Sequence, residues 1–207
     1  VGTNPAGIAI TPDGKTAYVA NFSSGTVTPI TVATNKPGEE IKVGIKPFLI
    51  AITPDGKTVY VANYGSKTVT LIDTATNAPV GAITVGNEPV AVAITPDGKT
   101  AYVVNLGANT VTPITVATNK PGEEIKVGSA PIGIAITPDG KTAYVANSGA
   151  ETVTPITVAT NKPGEEIKVG SAPIGIAISP DGASAYVADA GFNTVTPITL
   201  ATNIPRA

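Results

Sequence analysis

Pro12-Asp13-Gly14 is the first of five identical tripeptides in this chain of 207 residues. The others begin at residues 54, 96, 138 and 180, so the spacing is 42 residues each time. Proline presets φ, aspartate caps its own backbone and glycine accepts a positive φ, so this sequence favours a tight turn. The repeat therefore divides the chain into five units that share one internal design.

Each unit contains four short β-type segments separated by turns. In the first unit we place strand A at residues 7–11, strand B at 16–21, strand C at 26–33 and strand D at 39–43. These segments are rich in β-branched residues, and none shows a helical period. A period near 40 residues with four strands is typical of a propeller blade. The predicted fold is all-β, a β-propeller of four-stranded antiparallel blades, with residues 1–207 as one domain.

Composition excludes several classes of function. The net charge is −2 and the chain has no basic cluster, so we expect no nucleic-acid partner. No apolar run reaches the roughly 18 residues of a membrane span. Cys, His, Met and Trp are absent, which removes imidazole and thiol groups from any catalytic constellation. We therefore expect no enzyme, no metal site and no cofactor.

Proline interrupts strand C in four of the five units. The four residues are Pro29, Pro113, Pro155 and Pro197, whereas the second unit has Leu71. Proline cannot donate to a ladder and belongs at edges or bulges. We therefore predict a short strand D, with the proline nitrogens directed toward its unpaired part.

Strand B carries a motif with a recognisable resemblance. Tyr18-Val19-Ala20-Asn21 recurs as residues 60–63, 102–105, 144–147 and, with aspartate last, 186–189. It resembles the Tyr-Val-Thr-Asn motif of the YVTN family of β-propeller repeats, and the likeness covers the whole chain. Alanine or valine stands where the motif has threonine. The resemblance implies a prokaryotic secreted or cell-surface protein, and it gives a fold more firmly than a function.

The number of blades in the ring has two interpretations. Residues 1–2 match the end of a strand D, and the last unit stops where its own strand D begins, so the two termini could share one blade. We favour this closed five-bladed ring. The alternative is that the five blades are a piece of a larger, seven-bladed propeller.

The units differ from one another mainly at one end of the blade. The A–B and C–D turns are nearly constant, whereas the B–C and D–A connections vary. Loops on a rigid scaffold commonly carry function, so we expect binding on the variable face. The candidate ligand-binding residues are Phe22, Lys46, Phe48, Tyr64, Lys67, Glu88, Glu151, Asp189 and Phe192.

Two sets of polar residues suggest metal binding but are better interpreted as structural. The asparagines that end strand B, with Asp189 in the fifth unit, could form a ring that holds a cation; more simply, each bonds the following turn. The aspartates of the Pro-Asp-Gly turns are isolated from other carboxylates, whereas calcium needs six or more oxygens. We interpret them as turn caps.

Three functions remain open. The first is a non-enzymatic interaction scaffold that binds a protein or a cell-surface polymer through the variable face. The second is a propeller that binds a small ligand or a carbohydrate. The third, a carboxylate-metal lactonase or lyase, is disfavoured because His and Cys are absent.

Overall fold

The computed structural model describes residues 1–206 as five antiparallel sheets, one for each repeat. Blade one contains β1 (Pro5–Ile10), β2 (Thr16–Asn21), β3 (Thr26–Thr31), β4 (Lys36–Pro37) and β5 (Ile41–Lys42). Blade two contains β6 (Pro47–Ile52), β7 (Thr58–Asn63), β8 (Thr68–Asp73) and β9 (Ala78–Thr84). Blade three contains β10 (Pro89–Ile94), β11 (Thr100–Asn105), β12 (Thr110–Thr115), β13 (Lys120–Pro121) and β14 (Ile125–Lys126).

The last two blades follow the same order. Blade four contains β15 (Pro131–Ile136), β16 (Thr142–Asn147), β17 (Thr152–Thr157), β18 (Lys162–Pro163) and β19 (Ile167–Lys168). Blade five contains β20 (Pro173–Ile178), β21 (Ser184–Asp189), β22 (Thr194–Thr199) and β23 (Ile204–Pro205). The A strands of successive blades contact one another, which places them along the inner side of the propeller. The predicted all-β propeller is confirmed, and residues 1–206 include no helix that is long and apolar enough to span a membrane.

The Pro-Asp-Gly turn is held together by its own side chains. Asp13 Oδ1 accepts hydrogen bonds from Thr11 Oγ1 at 2.7 Å and from Lys15 N at 3.1 Å. These two bonds, that of Thr11 first, lower the pKa of the Asp13 carboxyl. The turn-cap interpretation of these aspartates agrees with this geometry.

Strand D has an unpaired part opposite the strand C proline, as expected, but it is split into two paired pieces rather than merely short. In blade one, β4 pairs with Ile30 and Thr31, and β5 pairs with Thr26 and Val27. Gly38 N donates to Pro29 O at 2.7 Å, so the polar groups of Pro29 face the break between β4 and β5. In blade two Leu71 supplies an amide at this position, and β9 continues as one strand.

Neighbouring blades are joined by a repeated apolar and polar contact. In the first interface, Tyr18, Ala20, Val27 and Ile41 of blade one pack against an apolar set of blade two that includes Val61. The tyrosine hydroxyl of each of the first four B strands also donates to the C–D turn asparagine of the next blade. These bonds are Tyr18 to Asn77 (2.6 Å), Tyr60 to Asn119 (3.0 Å), Tyr102 to Asn161 (2.6 Å) and Tyr144 to Asn203 (2.8 Å).

The two ends of the row of blades lack this contact. Tyr186 is 48% exposed, and Val195 beside it is 58% exposed, whereas Tyr102 and Val111 of blade three are fully buried. At the other end, Ile8 of blade one is 63% exposed. Within residues 1–206, Tyr186 has no asparagine partner and Asn35 receives no tyrosine hydroxyl.

The favoured closed ring of five blades is not what the structure shows. Residues 1–2 form no strand with β22, whose sheet contains only β20 to β23. Instead, Thr3 N donates to Ser24 Oγ of its own blade at 2.7 Å. The termini therefore do not share a blade, in keeping with the exposure of Tyr186 in blade five and of Ile8 in blade one.

Close approach between inner strands predicts unequal effects of two glycine substitutions. A Cβ at Gly133 would clash with the Ile174 carbonyl oxygen in the next blade, whereas one at Gly175 would meet only Ala188 Cβ at 3.9 Å. We expect Gly133→Ala to destabilise the protein by ~1–3 kcal/mol, and Gly175→Ala to change stability little. Urea unfolding followed by circular dichroism measures both, and an equal loss for both variants would contradict the packing described here.

Candidate functional site

The variable connections lie together at one end of the propeller, as predicted. Each B–C turn donates hydrogen bonds to the D–A loop of its own blade, as from Tyr64 N to Lys46 O at 3.0 Å and from Leu106 N to Glu88 O at 2.9 Å. At the opposite end, the C–D turns bond the A–B turns, as from Thr74 N to Lys57 O at 3.0 Å. We call the end formed by the D–A and B–C connections the loop face.

An aromatic cluster lies on the loop face between blades one and two. The ring centroids of Phe22 and Phe48 are 6.0 Å apart with an interplanar angle of 74°, and those of Phe22 and Tyr64 are 6.2 Å apart with an angle of 43°. Lys46 Nζ lies 5.7 Å from the centroid of Phe22 and 6.0 Å from that of Tyr64. Both distances fall within the range of a cation–π contact. We call Phe22, Lys46, Phe48 and Tyr64 the loop-face cluster.

Glu88 places a carboxylate beside this cluster. Partial burial and the nearby Glu88 carboxylate raise the pKa of the Tyr64 hydroxyl. Lys46 and Glu88 hold the same position in successive blades, directly before the proline that begins strand A, and both have a positive φ, 54° and 53°. The equivalent residues in the other blades share this backbone, so the fold imposes the conformation and only the side chains differ.

The cluster is unusual because this chain has few aromatic residues. Of six tyrosines and three phenylalanines, five are the tyrosines of the repeated B-strand motif, and four of those five are buried between blades. That leaves four others, namely Phe22, Phe48, Tyr64 and Phe192. Three of these four meet at the loop-face cluster and are only partly buried. The aromatic residues outside the repeated motif are thus concentrated at one place, where Phe48 and Tyr64 also pack against the apolar core.

Other predicted site residues lie apart from the cluster. Lys67 and Glu151 hold equivalent positions in the B–C turns of blades two and four, with φ of 53° and 57°. Glu151 Oε1 accepts a hydrogen bond from Ser171 Oγ at 2.7 Å, which ties it to the adjacent loop. Phe192 lies in the last B–C turn and is 65% exposed. The structure therefore unites five of the nine predicted residues, counting Glu88.

Asp189 is buried rather than presented on the loop face, with 1% of its surface exposed. It accepts a hydrogen bond from Thr196 Oγ1 at 2.7 Å. Its counterpart Asn21 donates to the hydroxyls of Thr26 (3.0 Å) and Thr28 (2.9 Å). The expected partner, the following turn, is therefore corrected to strand C. One side-chain oxygen of each of these residues is buried without a hydrogen-bond partner among the described residues, namely Oδ1 of Asn21, Asn63, Asn105, Asn147 and Asp189.

Sequence reasoning missed why a glycine precedes each D–A loop. These residues are Gly2, Gly44, Gly86, Gly128 and Gly170, and a Cβ on any of them would come within 3.0 Å of the buried Asn or Asp side chain below. The signal was present in the repeat, because this glycine recurs at the same 42-residue spacing as the asparagine.

The opposite end of the propeller carries the large open clefts. One, of about 670 Å³, lies between blades four and five and is lined by residues that include Asp139, Asp181 and Arg206. Similar clefts recur between blades one and two and between blades two and three. Their aspartates are already bonded within their own turns, and no group of three or more acidic side chains able to hold a metal occurs in residues 1–206. The clefts recur between successive blades, and their aspartates already accept hydrogen bonds within their own turns. We therefore interpret the clefts as a consequence of blade geometry rather than as binding sites.

Solved structures with the same fold are larger than this chain. A functionally unknown protein from Desulfotomaculum acetoxidans aligns with a TM-score of 0.86 and 21% identity, over 100% of this chain and 69% of that one. Virginiamycin B lyase from Staphylococcus aureus aligns with a TM-score of 0.84 and 19% identity, over 96% and 68%. Hydrazine synthase from Kuenenia stuttgartiensis aligns with a TM-score of 0.77 and 24% identity, over 97% and 78%. At these identities the likeness shows the fold alone.

No curated protein sequence matches the chain. The sequence model described as lactonase, 7-bladed beta-propeller, matches residues 1–203. This match overturns the expectation that the chain is not an enzyme, because it places the repeats in a family described by an enzymatic activity. The expectation rested on the absence of His and Cys, but carboxylates and lysine also serve in acid–base chemistry. The chain belongs to the lactonase family of seven-bladed β-propellers.

Proposed function

We propose that the loop-face cluster binds a small cyclic, oxygen-rich molecule, with lactones as the first class to test. The observation that carries this proposal is the convergence of three of the four aromatic residues outside the repeated motif. An apolar ring surface flanked by a few polar groups is the usual make-up of a small-molecule site. The family description supplies the choice of lactones.

Each side chain of the cluster has a role in this proposal. The exposed parts of Phe22 and Tyr64 contact the apolar face of the ligand ring. Lys46, already held against both aromatic rings, donates to a carbonyl or carboxylate oxygen of the ligand. Glu88 accepts hydrogen bonds from ligand hydroxyl groups.

Hydrolysis of the bound lactone is a second candidate function, favoured by the family match to residues 1–203. In this reaction a water oxygen attacks the lactone carbonyl carbon while the Glu88 carboxylate takes its proton. The Lys46 ammonium stabilises the oxyanion that forms. The ring C–O bond then breaks, and the leaving oxygen takes the proton from Glu88, which yields the hydroxy acid. No metal ion is needed for these steps.

Binding to D-glucono-1,5-lactone and to other lactones, measured by saturation-transfer NMR and calorimetry, tests the site. We expect Phe22→Ala and Tyr64→Ala each to weaken binding at least about tenfold, because each removes ring surface that contacts the ligand. Phe192→Ala is the matched control, since it removes an exposed aromatic from the same face at a distance from the cluster. The proposed site would be wrong if the two cluster variants kept their affinity for lactones, or if Phe192→Ala lost as much affinity as they did.

The hydrolytic function has its own readout. Proton release from lactones at constant pH should fall about a hundredfold or more in Glu88→Gln if Glu88 removes the proton from water. Glu165→Gln, on the outer segment of blade four, should leave the rate unchanged. If the unmodified protein binds lactones but does not hydrolyse them, the binding function is supported and the hydrolytic function is wrong.

We also propose that two further blades complete the ring. The five blades align with 68–78% of the chains of larger propellers, close to five sevenths. Tyr186 and Val195 of blade five and Ile8 of blade one are exposed. These residues belong to the two surfaces that pack together in the contact between each pair of successive blades. The YVTN assignment of the repeats and the secreted or cell-surface location stay predictions, as do a protein, cell-surface polymer or carbohydrate partner.

A further inference from the structure

The outer edge of blade two differs from the outer edges of the other blades. The single strand β9 pairs with β8 at six positions from Thr68 to Asp73, with one bulge at Val80, which lies between the paired residues Pro79 and Gly81 and has no partner in β8. In blades one, three and four the outer strand is split into two pairs of residues around a break opposite proline. Leu71 supplies the amide that those blades lack, so blade two alone has a continuous seven-residue outer strand.

The backbone of β9 is open along this edge. Val85 N donates to Lys67 O at 3.0 Å, so Val85 directs its polar groups inward. Because these groups alternate along a strand, those of Ala82 and Thr84 point away from β8. Both residues are exposed, and within residues 1–206 no protein group bonds their outward amides. The edge therefore presents the backbone N–H and C=O groups of Ala82 and Thr84 with the spacing that a further β-strand would need to pair with them.

The side chains of β9 leave this edge unprotected. Residues 78–84, Ala-Pro-Val-Gly-Ala-Ile-Thr, carry no charge, and Val80 is 61% exposed. The outer segments of blades one, three and four instead carry two glutamates and two lysines each, such as Glu39 and Lys42 of blade one. Charges, prolines, bulges and very short strands are the usual means of preventing strand addition at an edge. In blade two, Pro79 and the bulge at Val80 protect only the first half of β9, and residues 81–84 have neither charge nor break.

We propose that β9 binds an extended, uncharged peptide segment of a partner protein as an added strand. Main-chain hydrogen bonds to Ala82 and Thr84 supply the affinity, and alternate small or β-branched side chains of the peptide pack beside Val80. Pro79 has no amide to donate, so the added strand pairs with the second half of β9. A Cβ at Gly81 would meet no atom within 4 Å, which leaves room for a peptide side chain beside it.

A partner peptide fits this edge better than a second copy of the chain. Seven residues span only about 23 Å, and pairing of two such edges falls well short of the roughly 1,200 Å² that a stable dimer buries. Strand addition by a flexible peptide needs no such area, because the ladder itself provides the contacts. This site is independent of the loop-face cluster.

A synthetic, end-blocked peptide that copies residues 78–84 is the probe, with fluorescence anisotropy for binding and hydrogen exchange for its location. We expect saturable binding that slows exchange of the Ala82 and Thr84 amides at least about tenfold. The same peptide with N-methylated alternate amides should not bind, since it cannot form the ladder. Failure of either result overturns the proposal.

Substitutions on the protein identify the edge. Ala82→Lys should weaken peptide binding at least about tenfold, whereas Glu165→Lys on the split outer segment of blade four should not. Leu71→Pro gives blade two the residue found at this position in the other blades, so the fold should tolerate it while β9 breaks and binding is lost. Concentration-dependent dimers that protect Ala82 and Thr84 without peptide would show instead that a second copy occupies the edge.

Discussion

Tyr102→Ala should lower the free energy of unfolding by ~3–5 kcal/mol, whereas Tyr186→Ala should cost less than about 1 kcal/mol. The two residues hold the same place in the repeat, but Tyr102 is fully buried between blades three and four and Tyr186 is 48% exposed. Burial also raises the pKa of Tyr102 to about 12. The difference between the two losses of unfolding free energy therefore measures the contact with the next blade, because Tyr102 and Tyr186 hold the same position in the same motif and strand.

Phenylalanine at the same two positions separates packing from hydrogen bonding. Tyr102→Phe removes the bond to Asn161 Oδ1 and should cost ~1 kcal/mol, and Tyr186→Phe should cost nothing measurable. Urea unfolding curves of the four variants, monitored by circular dichroism, give these values. Equal losses at Tyr102 and Tyr186 would mean that the outer face of blade five is covered in solution.

Completing the ring should produce the second large effect. Two copies of residues 162–203 joined after Asn203 add 84 residues, or two repeats of 42. We expect the melting temperature to rise by about 10 °C or more and the cost of Tyr186→Ala to rise to ~3–5 kcal/mol, because the added blades bury both open faces. Ile8 and Tyr186 should become inaccessible together.

An extension by one repeat is the matched control for ring closure. It covers Tyr186 but leaves Ile8 exposed if the ring needs seven blades. Hydrogen exchange and proteolysis report which faces are protected. Protection of Ile8 by a single added repeat would indicate a six-bladed ring, and no gain from either extension would remove the proposal that blades are the missing partner.

Much of the blade could be predicted because its determinants are contiguous in the sequence. The Asp13 cap depends on Thr11 and Lys15, all within one turn. The split of strand D depends on Pro29, whose missing amide excludes a full ladder whatever the surroundings. The constant turns and the variable connections likewise distinguish the two ends of the propeller in the sequence alone.

The errors concern side-chain contacts across neighbouring strands and the arrangement of the two ends of the chain. The interpretation that Asn21 bonds the following turn is wrong, because its side chain lies beside Thr26, its partner in the antiparallel pair, and bonds Thr26 and Thr28. The closed ring was inferred from the lengths of the terminal segments. Length does not reveal the angle between blades, and that angle decides whether the first and last faces meet.

Local backbone preferences and side-chain periodicity act within a single unit, so the repeat, the four strands, the A–B turn and the face where the loops vary can all be read from the residues of one blade. The tertiary structure alone decided which loops meet, that Phe22, Phe48 and Tyr64 form one cluster, and that the faces of blades one and five stay open. Those outcomes depend on how successive blades are rotated about a common axis. That rotation is set by packing between blades, which no single repeat encodes.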